Sequence, residues 1–147
     1  MKAKNKKRNY IEWFTPDELH EQSKLWSSEL KFAMDEQRFL NDLVKEHTLE
    51  LIDKAVFEKV NLLLTELIKI EAELVKVYKR VQLHENQLQI MVDDVDQIKM
   101  ENAYMETHKD LSNEVKDYFE RYRDIKTRLF KVVIAVMKKS KQKRLLN

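Results

Sequence analysis

A seven-residue apolar repeat runs from Leu49 to Met105 and constrains the fold of this chain more than any other feature. Two rows of positions carry the repeat, and fourteen of its seventeen positions are apolar. The first row is Leu49, Val56, Leu63, Ile70, Val77, His84, Met91, Ile98 and Met105, and the second is Asp53, Val60, Leu67, Leu74, Val81, Leu88, Val95 and Asn102. Long helices place residues at this spacing where they pack together, so the repeat predicts an all-α, coiled-coil-like fold.

The composition favours helices and argues against several kinds of catalytic site. The 147 residues include no glycine, no cysteine and one proline, and the length suggests a single domain. Phosphate-binding loops, dinucleotide-binding turns and nucleophile elbows depend on glycine, so we do not expect them. The absence of cysteine excludes disulfides, thiol catalysis and cysteine-bound zinc, and it is compatible with a reducing cytoplasm.

Positive charge is concentrated at the two ends of the chain. Five basic residues lie within residues 2–8 and five within 138–144, so 18 of the 28 basic residues remain against 26 acidic ones. We expect a basic N-terminal tail with an aromatic cluster over 1–14, a helical-bundle domain over 15–139 and a basic C-terminal tail over 140–147. The tails could contact nucleic acid, anionic lipid or an acidic partner, but solvated ends are the preferred interpretation.

No segment has the pattern of a membrane-spanning or secreted protein. The longest apolar run, Val132 to Met137, is much shorter than the roughly 20 residues that a membrane-spanning helix needs. The basic start is not followed by the apolar region of about 7–15 residues that a secretory signal contains. We therefore expect a cytoplasmic protein.

The helix pattern predicts an antiparallel up-and-down bundle of three long helices. A capping sequence at Thr15–Glu18 begins the first helix, which should end near Glu46 or His47. The repeat itself is the middle helix. The apolar pattern changes phase within 107–113, which marks a turn or a stutter, and we favour a turn before the last helix. The first helix has apolar residues at helical spacing, widened by a further set: Leu19, Trp26, Leu30, Ala33, Leu40 and Val44, then Leu25, Phe32, Phe39 and Leu43.

A four-helix bundle is the alternative, with the middle helix broken near residues 84–87. The repeat passes through that point in phase, which favours one continuous helix of about 85 Å. Flanking helices of about 30 residues would cover only part of such a helix. The candidate interaction surface is therefore the narrow end of the repeat, at Val95, Ile98 and Met105, and a homodimer or another helical protein is the expected partner.

Two carboxylates of the first helix, Glu29 and Glu36, are predicted near the middle of its apolar face. Tyr118 and Tyr122 lie on the predicted inner face of the last helix. A buried carboxylate must be hydrogen-bonded or paired, so these four residues are a candidate internal polar network. Exposure of the face to a partner and acid–base catalysis are the less favoured alternatives.

The sequence indicates no catalytic, cofactor or metal site and no small-molecule substrate. Di-iron bundles use Glu-x-x-His pairs and hemerythrin-like sites use His-x-x-x-Glu, and neither spacing occurs here. The four histidines are scattered singly. His84 occupies a position of the apolar repeat, where it could be a pH-sensitive packing switch or a histidine bonded to a neighbouring glutamate.

Three short patterns resemble small, uncharacterised helical proteins of flavobacteria and their relatives. The patterns are Trp26-(x)3-Leu30-(x)5-Glu36-(x)2-Phe39-Leu40, His84-Glu85 and Tyr122-(x)3-Lys126-(x)3-Phe130. The resemblance implies a bacterial cytoplasmic helical protein. It implies no activity, cofactor or site residues.

These observations together predict a non-enzymatic helical protein that acts through protein–protein contact and associates with itself. An adaptor that binds nucleic acid or anionic membrane through its basic tails is the second hypothesis. A metal-dependent enzyme built on Glu29 and Glu36 is the third and least favoured.

Overall fold

Three long helices and one single-turn helix make up the part of the chain that the computed structural model describes. That part is residues 15–52, 57–93 and 98–146, with side chains for 15, 17–52, 57–87 and 101–146. The helices are α1 (Pro16–Glu46), α2 (Thr48–Leu51), α3 (Phe57–Asp93) and α4 (Ile98–Leu146), and no strand occurs in these ranges. The predicted all-α fold, with long helices packed as a bundle, is confirmed.

Side-chain caps define both ends of α1. The Thr15 hydroxyl accepts a hydrogen bond from the Glu18 amide at 3.2 Å, which satisfies one of the free amides of the first turn. At the other end the Thr48 hydroxyl donates to the carbonyls of Val44 and Lys45. The predicted start and end of the first helix are therefore confirmed.

The apolar repeat is buried through most of α3. The described repeat positions from Val60 to His84 are all buried. Leu49, by contrast, is 81% exposed. The prediction of one continuous helix over 49–105 is wrong, because α3 ends at Asp93 and a different helix begins at Ile98. The turn predicted within 107–113 is also wrong, since α4 is continuous there.

The chain divides into two compact units, and each takes a part of every long helix. The first unit consists of Met1–Lys31 and Val75–Asp117. The second consists of Phe32–Leu74 and Tyr118–Asn147.

In the second unit, α3 and α4 run antiparallel while α1 and α4 run parallel. Arg128 of α4 pairs with Glu66 of α3. Arg121, seven residues before Arg128, pairs with Glu73, seven residues after Glu66. The buried apolar side chains of this unit are Ala33, Leu40, Leu51, Val60, Leu63, Leu67, Ile70, Leu74, Tyr118, Tyr122, Ile125, Leu129, Val133 and Val136. Burial of this kind contributes about 1.5–3 kcal/mol for each large aliphatic side chain and is the main force that holds the helices together.

The first unit has the same up-and-down arrangement. An ion pair joins Arg80 of α3 to Glu114 of α4, and Leu19 of α1 packs against Tyr104 of α4. Its buried apolar side chains are Leu19, Leu30, Val77, Val81, Tyr104, Leu111 and Val115.

The buried face of α1 differs from the predicted one. Leu25, Phe32 and Phe39, expected to widen the apolar face, are 57%, 67% and 57% exposed. Polar residues lie in the core instead, at Ser23 and Gln37. Their side chains can be buried because Ser23 donates to the Leu19 carbonyl and Gln37 donates to the Tyr118 hydroxyl.

The end of the chain is helical where a basic tail was expected. α4 continues through residues 140–146 with the side chains of Lys141, Lys143 and Arg144 exposed. The expected N-terminal tail over 1–14 lies outside the described residues. Among the residues that the structure describes, no helix is both long and apolar enough to cross a membrane.

Candidate functional site

Two buried polar clusters stand out, one in each unit. The histidine cluster of the first unit joins all three long helices through His84 of α3, His108 of α4 and Gln22 of α1. The His84 Nε2 and His108 Nδ1 atoms are 2.9 Å apart, and His108 Nε2 is 2.7 Å from Gln22 Oε1. Both imidazoles are almost completely buried, at 1% and 2% exposure.

The hydrogen bonds of the histidine cluster fix which nitrogens carry protons. An amide oxygen can only accept, so His108 Nε2 donates to Gln22 Oε1. In neutral His108 the Nδ1 atom is then an acceptor, and His84 Nε2 donates to it. This leaves the His84 Nδ1 lone pair buried, and that atom has no hydrogen-bond partner in the structure.

Aromatic rings pack on both imidazoles. The Tyr104 ring stacks on His84 with centroids 4.1 Å apart and planes 5° from parallel. The Trp26 ring stacks on His108 at 4.6 Å. These rings separate the imidazoles from water, and the same burial raises the pKa of the Tyr104 phenol.

Burial keeps both histidines neutral. It lowers the pKa of His84 and of His108 from 6.5 to about 4, and for His108 a charge on His84 adds to the effect. The imidazolium form would lose its hydration without gaining a carboxylate partner, so the neutral form is favoured at neutral pH.

The carboxylate cluster of the second unit is built around Glu36 of α1. Tyr122 of α4 donates to Glu36 Oε1 at 2.6 Å, and the Lys126 ammonium donates to the same oxygen at 2.9 Å. One turn away, Gln37 Nε2 donates to the Tyr118 hydroxyl at 3.0 Å. Tyr122 and Lys126 lie one helical turn apart, so a single carboxylate can bind both.

The protonation states of the carboxylate cluster follow from these bonds. Burial acts to raise the pKa of Glu36, but the hydrogen bonds from Tyr122 and Lys126 and the lysine charge outweigh it and lower the pKa. Burial raises the pKa of both Tyr118 and Tyr122, and for Tyr122 the Glu36 carboxylate raises it further. The cluster therefore holds an ionised carboxylate and neutral phenols at neutral pH.

Three of the four residues predicted for an internal polar network lie together. Glu36 binds Tyr122, while Tyr118 binds Gln37, which was not predicted. The prediction for Glu29 is wrong, because its side chain is exposed. Leu25, Phe32 and Phe39 were expected in the core. Including them moves the predicted centre of the apolar face of α1 toward Glu29, which explains the error.

The predicted interaction surface is only partly described. Val95 lies outside the described residues, and so does the side chain of Ile98. Met105 is half-buried and packs against Leu19 and Tyr104, so it is used within the first unit. That part of the prediction needs correction, since residues 98–105 belong to α4.

The histidine cluster was missed in the sequence, although a signal for it exists. The apolar spacing of the last helix was followed from Leu111 toward the C-terminus only. If the spacing is followed from Leu111 toward the N-terminus, steps of three and four residues reach His108 and Tyr104. His84 and His108 then no longer look scattered, because both occupy core positions.

Neither cluster is arranged as a metal centre. Within the described residues, no three side chains of histidine, aspartate or glutamate are grouped so that they could hold a metal ion. Comparison with protein-family models, curated proteins and solved structures finds no match to this chain.

Proposed function

We propose that this protein is non-enzymatic and acts through protein–protein contact, first of all by associating with itself. The observation that carries the proposal is an exposed aromatic pair on α1. Phe32 and Phe39 are 67% and 57% exposed and are seven residues apart, so they lie on the same face of the helix.

The distribution of exposed apolar side chains supports this proposal. Among the described residues, eleven of the fourteen large apolar side chains that are exposed belong to the second unit. Exposed apolar groups that lie close together often mark protein interaction sites. Complete burial of an exposed Phe side chain contributes about 1.5–3 kcal/mol, and a partner that covers the partly exposed Phe32 and Phe39 gains a share of that for each ring.

The hydrogen bonds of the buried polar side chains also support a role in protein–protein contact rather than in catalysis. The Glu36 carboxylate is occupied by Tyr122 and Lys126, and His108 is occupied by His84 and Gln22. These groups join the helices to one another. A cytoplasmic location belongs to the same proposal, since a chain without cysteine suits a reducing compartment.

Sedimentation equilibrium tests this function with a double variant, Phe32→Gln with Phe39→Gln. We expect the wild-type protein to self-associate at micromolar concentration and the double variant to associate at least about tenfold more weakly, which corresponds to about 1.4 kcal/mol. Ile68→Gln is the matched control, because Ile68 is 65% exposed in the same unit but on α3. A wild-type protein that stays monomeric throughout the series would contradict the proposal.

Binding to anionic membrane or nucleic acid is the alternative function, and the end of α4 favours it. Leu145 and Leu146 are 77% and 86% exposed there, next to the exposed bases Lys141, Lys143 and Arg144. Basic side chains beside apolar ones are typical of helices at membrane surfaces. Co-sedimentation with anionic vesicles, or binding to DNA or RNA, should then weaken steeply with salt.

A further inference from the structure

The outer face of α1 carries an acidic and aromatic stripe. Its five residues are Phe32, Asp35, Phe39, Asp42 and Glu46, and every one of them is exposed. They follow one another at steps of three and four residues, which places them along one side of the helix. The acidic stripe thus carries two aromatic and three acidic side chains over about 21 Å.

A groove of about 490 Å³ lies at the end of α4 in the same unit. Ile134 and Met137, 50% and 47% exposed, form its apolar part, and Lys138, Lys141 and Arg144 give it positive charge. Lys138, Lys141 and Arg144 follow Ile134 at steps of four, three and three residues, with Met137 directly before Lys138, over about 15 Å of the helix. The basic groove is therefore opposite to the acidic stripe in charge, and both surfaces also carry exposed apolar side chains.

We propose that the acidic stripe of one copy of this chain binds the basic groove of a second copy. The inference rests on the self-association proposed above and names the two surfaces that meet. Phe32 and Phe39 would cover Ile134 and Met137, while the acidic side chains would approach the basic ones. The contact would bury apolar surface and place opposite charges together, which favours it over contacts between surfaces of like charge.

Other charged residues near the two surfaces do not cancel the opposite charges of the acidic stripe and the basic groove. The groove also contains His47 and Glu50, so one acidic side chain stands against three basic ones. On the stripe, Asp35 makes a surface ion pair with Arg38 at 3.9 Å, with both side chains more than three-quarters exposed. Such an exposed pair is weak, so a basic groove can replace it at little cost.

The contact joins two different surfaces and is therefore heterologous. A dimer closes only if the stripe of each copy reaches the groove of the other, and otherwise copies continue into rings or chains. Because charge steers this contact, association should weaken as salt rises and the screening length falls below about 8 Å.

Charge exchange between the two surfaces tests the inference. The stripe variant carries Asp35→Lys and Asp42→Lys, so its stripe and groove are both basic. The groove variant carries Lys138→Glu, Lys141→Glu and Arg144→Glu, so both of its surfaces are acidic. All five positions are exposed, so both variants should keep the helix content and thermal midpoint of the wild type. Sedimentation velocity of each variant alone, and of an equimolar mixture, measures association.

The inference predicts that each variant alone is at least about tenfold weaker in self-association than the wild type, and that the mixture associates again. In the mixture each stripe meets a groove of opposite charge on the other variant, whereas in each variant alone the stripe and groove carry the same charge. If the wild type associates but the mixture does not recover, the pairing of these two surfaces is wrong and self-association itself stands. If the wild type is monomeric at every concentration, the proposed function fails as well.

A vesicle assay separates this contact from membrane binding. The groove variant loses positive charge, so its binding to anionic vesicles should be weaker than that of the wild type if the groove faces lipid. Salt-sensitive wild-type binding to vesicles that the groove variant lacks, together with no recovery in the mixture, would assign the groove to membrane and overturn the inference.

Discussion

At the scale of single residues, the least expected atom is the Nδ1 of His84, which is buried without a hydrogen-bond partner. The repeat located His84 in the core, but its partner could not be predicted from the same helix. The expected alternatives were a switch or a bond to a neighbouring glutamate, whereas the structure pairs it with His108, 24 residues away. Long-range polar pairs depend on how helices are aligned, and periodicity within one helix carries no such information.

The two histidines predict a loss of stability in mild acid. Unfolded histidines take up protons below about pH 6.5, whereas the folded ones do so only near pH 4. Between these values the unfolded state binds more protons, so the free energy of unfolding decreases as the pH falls. The stabilisation that depends on the two neutral histidines is fully present above about pH 6.5. Each histidine should contribute a slope of about 1.4 kcal/mol per pH unit, measured by urea unfolding from pH 7.5 to 4.5.

The double variant His84→Leu with His108→Leu is the control for this slope. Both imidazoles are then absent, and the free energy of unfolding should depend much less on pH over the same range. A wild-type protein equally stable at pH 7 and pH 5 would show that the folded histidines accept protons normally.

The carboxylate cluster predicts unequal effects of removing tyrosine hydroxyls. Tyr122→Phe removes a hydrogen bond to an ionised carboxylate and should lower the free energy of unfolding by about 1.5–3 kcal/mol. Tyr78→Phe is the matched control, since the Tyr78 hydroxyl accepts a hydrogen bond from Gln82 at the surface, and it should cost less than about 0.5 kcal/mol. Equal losses in urea unfolding would show that the Glu36 bond adds nothing beyond a surface contact.

At the scale of helices, the repeat predicted the buried side of α3 correctly and its end incorrectly. After Asp17 the chain contains neither proline nor glycine, so no residue of the usual kind marks the end of a helix. The repeat also seemed to continue through Ile98 and Met105. Met105 is in fact one position from Tyr104, the first buried residue among the described side chains of α4, so an accidental match extended the pattern.

Ion pairs between α3 and α4 recur every seven residues and favour one alignment of the two helices. In the second unit Glu66 and Glu73 are the acidic partners, whereas in the first unit Arg80 is the basic one and Glu114 the acidic one. A shift of one repeat would bring like charges together at the point of reversal. Half-exposed pairs are individually weak, so the reversal adds specificity more than stability.

A double-mutant cycle on Glu73 and Arg121 measures this effect within the second unit. Glu73→Arg should destabilise the protein, since it faces Arg121, and adding Arg121→Glu should recover most of the loss. The coupling free energy should be about 0.5–1 kcal/mol in urea unfolding and should decrease in high salt. If adding Arg121→Glu lowers the free energy of unfolding further, the two side chains are not directly paired.

At the scale of the whole molecule, the apolar repeat predicted the fold class, whereas the exposure of the aromatic pair on α1 and the groove at the end of α4 were not predicted. The end of α4 was taken for a solvated tail, yet it is a helix whose basic and apolar residues line a groove. Likewise, Phe32 and Phe39 were assigned to the core because aromatic residues at helical spacing usually lie there. Their exposure appears only once Ser23 and Gln37 are seen to occupy the buried positions, with their own hydrogen bonds satisfied.

The measurement that tests self-association most directly is sedimentation equilibrium of the unmodified protein from about 1 to about 200 micromolar, at low and high salt. The account predicts that the average mass rises with concentration above that of a single 17.8 kDa chain, and rises less in high salt. A mass that stays at that of one chain under all of these conditions would contradict it.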